Sequence, residues 1–381
     1  MRICSPHCGI DPGTNSGGET YEREILRALA GQGHVIDIML ARHQRHPEGV
    51  ANWVVHRLPI ARGLRWPVAM ALLPPLIRRL HVQTRFDVLR AHSLRFIGPA
   101  CLIARRRYGL PVPVVAHHHH LDPGWLNPVI EGRVMRAADR VVVGSEFARR
   151  QAGQELGVPA DRFSVVPYGV DARFRPGPRP AALAARHGLD GKLVVLYLGG
   201  LKPRKNLPGL LECWREVARE RADAHLVLAG SGPLRQELEG RARALGLDGR
   251  VTFTGYVAED EKVDHYNLAD VFLFPSALEG FGFSVAEAMA CGRPVVASDR
   301  GSLPEVLIDG EGGFLADPSD AFGLARKVLL LLSDPRLRAK FGAANRARAE
   351  RCFGWAQCAA ATAKVYEDVL GAWRAGRAQA G

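Results

Sequence analysis

The sequence predicts two α/β domains, each a doubly wound parallel sheet of the Rossmann type, facing one another across a cleft. Three observations predict it. Short apolar runs alternate with amphipathic stretches almost from end to end, the pattern of strands covered on both faces by helices. The chain has 381 residues, long for one domain and comfortable for two that each bury a core. Near the middle, Arg175-Pro176-Gly177-Pro178-Arg179-Pro180 interrupts the alternation as a stiff, solvated linker.

Met1-Arg2-Ile3-Cys4-Ser5-Pro6 lacks the long apolar core of a secretory signal and reads as the first strand. Strands are then expected at Val35–Leu40, Val54–Leu58, Asp87–Ala91, Val112–Ala116, Val141–Gly144 and Ser164–Val166, with helices such as Glu19–Ala30 and Glu146–Leu156 between them. The second half repeats the plan at Leu193–Leu198, His225–Ala229, Val251–Thr254, Val271–Phe274, Val295–Ala297 and Gly313–Ala316. The domains expected are 1–175 and 186–354, the first joined by an alanine-rich terminal helix at 356–376. In such folds ligands bind outside the carboxyl ends of the strands, so the cleft is the default site.

A content of 47% hydrophobic and 24% charged residues is that of an ordinary globular protein, and no 18-residue apolar run predicts a transmembrane helix. Seven scattered cysteines without a Cys-x-x-Cys pair fit reduced thiols and a cytoplasmic location. The net charge of +12 is uneven: residues 1–170 hold 22 Arg, no Lys and 13 acidic residues. That half points either to an anionic partner (a membrane surface, a phosphorylated lipid, a nucleic acid) or to a bias towards Arg.

Two constellations carry chemistry. Gly199-Gly200-Leu201-Lys202-Pro203-Arg204-Lys205-Asn206 follows an apolar strand and precedes a helix. Its glycines permit a tight turn, and its cations beside a helix N-terminus favour a phosphate or diphosphate, unless the turn is simply a solvated basic loop. The second runs from Pro275 to Val296: a strand end, a glycine-rich loop carrying Glu279, and a helix from about Gly282 carrying Glu287. Two carboxylates on successive elements can address different hydroxyls of one sugar nucleotide. Their structural alternative is an exposed loop Glu and a helix Glu paired with an Arg.

With seven residues between Glu279 and Glu287, the chain resembles glycosyltransferase family 4, the retaining transferases of GT-B fold. Gly17-Gly18-Glu19 is similar to the family's N-terminal glycine loop, and Val166-Pro167-Tyr168-Gly169-Val170-Asp171 to its strand-to-linker motif. Gly292-Arg293-Pro294-Val295-Val296-Ala297-Ser298, Pro304-Glu305, and Trp355 with Tyr366 follow in the expected order. The resemblance implies that Glu287 binds the donor ribose, and that Glu279 contacts the donor sugar beside the amides of Gly280, Phe281, Gly282 and Phe283. It implies that Lys205 neutralises the diphosphate leaving group, with Gly17 and Gly18 at the donor. One departure stands out: Gly200 occupies the place of the family's second phosphate cation, leaving Lys202 or Arg204 to substitute.

His117-His118-His119-His120 follows the fifth strand. Neighbours on an extended segment point to alternate sides, so they cannot all converge on one ion, and no metal site is expected. The family's histidine near the donor sugar is best matched by His119, then by His118. Arg62-Gly63-Leu64-Arg65-Trp66-Pro67, ahead of the apolar stretch Val68–Ile77 and Arg78-Arg79, reads as an interfacial helix or as a helix packed on the sheet with arginines at its rim.

The expected function is transfer of a hexosyl group from a nucleoside diphosphate sugar (GDP-mannose or a UDP-hexose) to an acceptor hydroxyl, in cell-envelope glycan or glycolipid synthesis. The expected catalytic set is His119, Lys205 and Glu279, with Arg204 in the donor site. The expected partners are the nucleotide sugar and a glycan, lipid or small-molecule acceptor, with peripheral contact to an anionic inner membrane face and no nucleic acid. No cofactor is expected, and no essential divalent cation, because no Asp-x-Asp lies at a suitable strand end. Two alternatives stand beside this: a nicotinamide dehydrogenase, which lacks its Gly-x-Gly-x-x-Gly after the first strand, and a non-catalytic sugar-nucleotide-binding subunit of the same fold.

Overall fold

The structure is a computed structural model that describes residues 1–7, 9–13, 17–60, 67–119 and 127–380. The chain divides into two compact units, Met1–Gly169 with Trp355–Gly381, and Val170–Gly354.

The sheet of the first unit contains β1 (Arg2–Pro6), β2 (Val35–Ala41), β3 (Trp53–Leu58), β4 (Val88–Ala91), β5 (Val114–His118), β6 (Arg140–Val143) and β7 (Phe163–Val165). Its order is β3-β2-β1-β4-β5-β6-β7, and all its pairs are parallel. The second unit has β8 (Leu193–Leu198), β9 (Ala224–Ala229), β10 (Val251–Gly255), β11 (Val271–Phe274), β12 (Val295–Ser298) and β13 (Gly313–Ala316). They pair in parallel in the order β10-β9-β8-β11-β12-β13.

The strands are near-continuous apolar runs because helices cover both faces; every residue of β9 is buried. The helices carry the matching stripe. Helix Leu207–Glu220 buries Leu207, Leu210, Leu211, Trp214 and Val217, one face at helical spacing. Each strand order reverses once, between β1 and β4 in the first unit and between β8 and β11 in the second. Connections leave these neighbouring strands in opposite directions, which opens a crevice at their carboxyl ends. The residues with chemistry follow these strands.

Three expectations are corrected. The fifth strand runs to His118, because His117 and His118 continue the ladder opposite Val142 and Val143. The boundary expected at 175 lies after Gly169: Val170 donates to the Phe353 carbonyl at 2.6 Å, and the Phe174 ring packs edge-on against Tyr266. The terminal helix is longer than expected, Trp355–Ala380, and packs on helix Gly17–Gly31 in the first unit. Gly169 explains that closure, since a Cβ there would lie 2.4 Å from Trp355 Cδ2 and 2.7 Å from its Cα.

The apolar stretch after residue 67 forms helix Pro67–Thr84, which buries Leu73, Ile77 and Leu80 and leaves Met70, Leu72 and Val82 exposed. It packs against helix Ile97–Tyr108. Arg62 to Trp66, His120 and Asp122 lie outside the described residues. No helix among the described residues is long and apolar enough to cross a membrane.

Candidate active site

In the second unit, the Gly199–Lys202 turn leaves β8, tightens through a single 3-10 turn at Pro203–Lys205, and enters helix Leu207–Glu220 by way of Asn206 at φ 52°. The neighbouring strand β11 leads through Pro275 and Ser276 to Glu279, and on to helix Phe283–Ala290. The topological reversal therefore places the two motifs side by side. Main chain joins them directly: Ala277 N donates to the Arg204 carbonyl at 2.8 Å.

Glu279 is only 6% exposed. Its Oε1 accepts from Ser276 Oγ at 2.6 Å, from Arg204 Nη1 at 2.9 Å and from Lys205 Nζ. Among the described residues no hydrogen bond reaches Oε2. Burial would raise this carboxyl, but the charges of Lys205 and Arg204, with hydrogen bonds from Lys205 and Ser276, hold it below the usual range. The loop is fixed from behind by Ser302, whose N and Oγ donate to the Glu279 carbonyl at 3.1 and 3.0 Å. Lys205 is buried, with Nζ 4.6 Å from the centre of the Phe274 ring.

Gly280 to Phe283 carry the chain into the helix. Gly282, at φ 90°, is its N-cap, and a Cβ there would meet Leu303 Cδ2 at 2.6 Å. Phe281 is buried against Phe283 and Phe353. Glu287, one helical turn further on, accepts from Tyr266 Oη at 2.6 Å on Oε2, while Lys262 Nζ stands 3.8 Å from Oε1. Burial raises its carboxyl despite Lys262 and Tyr266.

Gly200 has room beside it. A Cβ would touch the methylenes of Lys202 at 3.6 to 3.8 Å, so the Lys202 stem lies over the space a side chain at 200 would enter. Arg204 is committed to Glu279 and to the Leu278 carbonyl at 2.8 Å. Lys202 is exposed and forms no ion pair among the described residues.

In the first unit, Gly17 and Gly18 open helix Gly17–Gly31, and His119 stands just beyond β5. His119 is held at both ring nitrogens, Nε2 by Glu22 Oε1 at 2.9 Å and Nδ1 by Tyr168 Oη at 2.7 Å. His117 bonds Tyr366 Oη at 2.7 Å through Nε2. Around them is a buried polar centre that the sequence reading missed. Arg90, 0% exposed, forks onto Glu22, 3% exposed, and its Nε donates to Tyr366 Oη at 3.1 Å. His7 and His92 stack at 4.0 Å, their nearest nitrogens 4.0 and 3.9 Å from Glu22 Oε2. Burial would raise Glu22, but Arg90 beside it holds the carboxyl well below its usual range, while burial pushes His92 down to about 4. Two signals were available: Arg90 inside an apolar strand needs a partner, and Glu22 shares a helix face with Leu26 and Leu29.

His7, Glu22 and His92 are the group of described residues whose ligand atoms approach closely enough to hold a cation. They suit one poorly, because the Arg90 fork occupies both Glu22 oxygens and places a fixed positive charge there.

Two Rossmann-like units with these strand orders are the architecture of the GT-B fold. Residues 15–174 match the family profile "Glycosyltransferase Family 4" and residues 182–348 the profile "Glycosyl transferases group 1". The chain is 33% identical over 309 residues to the GDP-mannose-dependent alpha-(1-6)-phosphatidylinositol monomannoside mannosyltransferase of Mycolicibacterium smegmatis, covering 78% of this chain and 79% of that protein. It is 36% identical over 406 residues to a D-inositol 3-phosphate glycosyltransferase of Kineococcus radiotolerans, covering 94% and 92%. Among solved structures, Anabaena Alr3699/HepE in complex with UDP and glucose superposes with a TM-score of 0.79 at 21% identity, over 96% of this chain and 99% of that one. The chain belongs to glycosyltransferase family 4.

Proposed function

We propose that this glycosyltransferase moves a hexosyl group from a nucleoside diphosphate sugar, GDP-mannose or a UDP-hexose, to an acceptor hydroxyl with retention of the anomeric configuration. The observation that carries this reading is the state of Glu279. Three donors converge on Oε1 and leave Oε2 to accept from a sugar hydroxyl, with Lys205 and Arg204 alongside. Cleavage of the C1–O bond leaves negative charge on the diphosphate, where a pre-set, desolvated cation stabilises the transition state more than the ground state. Lys205 is that cation. Lys202, over Gly200, is the second, since Arg204 is tied to the Leu278 carbonyl as well as to Glu279. The acceptor oxygen bonds to C1 on the face the diphosphate leaves, and its proton passes to the departing phosphate oxygen. Glu287 takes the donor ribose, and His119, with Gly17 and Gly18, belongs to the donor-sugar side.

For the acceptor, the support is the basic first half of the chain and the inositol-phosphate and phosphatidylinositol substrates in the relatives' names. A lipid-linked or cell-envelope glycan fits both. Exposed Met70, Leu72 and Val82 with Arg78 and Arg79 on helix Pro67–Thr84 fit a peripheral contact with an anionic membrane face, which co-sedimentation with vesicles reads out.

The test is donor turnover with GDP-mannose, UDP-glucose and UDP-N-acetylglucosamine, with and without EDTA, with the product anomer read by NMR. One donor should be turned over with retention and without EDTA sensitivity, and Glu279→Gln should lower kcat by about 100-fold or more. An inverted product, or a Glu279→Gln variant as active as wild type, overturns the proposal.

A further inference from the structure

Glu287 is presented to its ligand by two residues of the preceding helix, Lys262–Leu268. Tyr266 is fully buried, and its ring is fixed edge-on between Phe272 at 5.6 Å and Phe174 at 5.8 Å. Its hydroxyl lies 2.6 Å from Glu287 Oε2 and donates there, because burial holds the phenol well above its ordinary range and keeps it protonated. A buried carboxylate with one oxygen pinned has a fixed plane, and its second oxygen, Oε1, faces Lys262 Nζ.

The separation of those two atoms, 3.8 Å, is too long for a hydrogen bond. It suits a hydroxyl oxygen lying about 2.8 Å from each of them. Such a hydroxyl donates its one proton to Oε1 and accepts from the ammonium, which uses both of its capacities. Lys262 is held in place for this. It is mostly buried and pairs with Glu259 Oε1, and Arg173 Nη2 occupies the other Glu259 oxygen at 2.5 Å. An ammonium has three protons, so the pairing with Glu259 leaves donors for a ligand.

We propose that Lys262 and Tyr266 are donor-specificity residues: Tyr266 positions Glu287, and Lys262 binds the same ribose hydroxyl that Glu287 accepts. This rests on the assignment of Glu287 to the ribose. Together they make the site selective for ribonucleotides, because a deoxy ligand leaves a buried carboxylate and ammonium without the hydroxyl that links them.

The experiment is calorimetric titration of GDP and UDP, and of their 2′-deoxy and 3′-deoxy counterparts, into wild type, Glu287→Gln, Lys262→Met and Tyr266→Phe. Wild type should prefer the ribonucleotide over one deoxy form by roughly 10- to 100-fold, the range of a hydrogen bond to a charged group. Lys262→Met and Tyr266→Phe should each reduce that preference about fivefold or more while changing deoxynucleotide affinity less than about twofold. Lys262→Met leaves the aromatic packing intact, so the inference stays testable if Tyr266→Phe melts early. No preference in wild type, or a preference that survives Glu287→Gln, would sink the ribose assignment itself. A preference abolished by Glu287→Gln but retained in the other two variants overturns only the roles of Lys262 and Tyr266.

Discussion

At the scale of single residues, the cations of the Gly199–Lys205 turn are not equivalent. Lys205 is buried and bonded to Glu279, so its position is set before any ligand arrives; Lys202 is exposed and held only by the lie of its stem over Gly200. A pre-set buried charge acts on the transition state, whereas an exposed mobile one adds mainly to ground-state attraction and is screened by salt. Lys205→Ala is therefore expected to cut kcat/KM by about 100-fold, largely through kcat. Lys202→Ala should raise donor KM by only about three- to tenfold, and less in high salt. Steady-state kinetics at two ionic strengths checks both, and equal losses in kcat for the two variants would contradict the distinction. The settings of Glu279, Glu287 and Lys205 were legible in the sequence because each lies in a contiguous strand–loop–helix run whose turn residues announce it. Glu22 and Arg90 were not, because partners 68 residues apart leave no local pattern. Only the strand order brings β4 beside helix Gly17–Gly31.

At the scale of elements, the strands were visible as apolar runs, and the differences lie where polar residues continue a ladder. His117 and His118 read as lying just beyond the strand because the apolar run stops at Ala116, yet β6 pairs with them. The terminal helix was visible as an alanine-rich pattern, but its packing depends on a contact no periodicity encodes, Gly169 against Trp355. A methyl group at 169 would press on the Trp355 ring and on its Cα, and main chain cannot yield as a side-chain tip can. Gly169→Ala should therefore destabilise the first unit by about 1–3 kcal/mol, the usual cost of overpacking. The melting temperature should fall by several degrees, with protection from hydrogen exchange lost first in Trp355–Ala380. A variant melting within about one degree of wild type would show that the helix tolerates displacement at this point.

At the scale of the whole molecule, acid should act unequally on the two units. His7, His92 and His117 are buried in the first unit, and burial lowers all three, His92 to about 4. An unfolded chain takes up protons on these rings near pH 6.5, whereas the folded state resists until far lower pH. Between those values the unfolded state binds more protons, so stability is full above about pH 6.5 and is lost as pH falls towards 4. A single ring shifted as far as His92 contributes up to about 3 kcal/mol across that window. In the second unit His225 is lowered similarly, to about 4, but His187 is more exposed. The first unit should therefore lose hydrogen-exchange protection before the second as pH falls from 6.5 to 4.5, led by β1, β4 and β5. Repulsion among the arginines of this basic half is a competing cause, and salt separates the two. About 0.5 M salt screens exposed charges strongly but leaves buried rings nearly unscreened. The order of unfolding should thus persist in salt, and His92→Gln should narrow the gap between the units. Stability that is flat from pH 6.5 to 4.5, or an order that reverses in salt, would assign the acid response to surface charge instead of the buried histidines around Glu22.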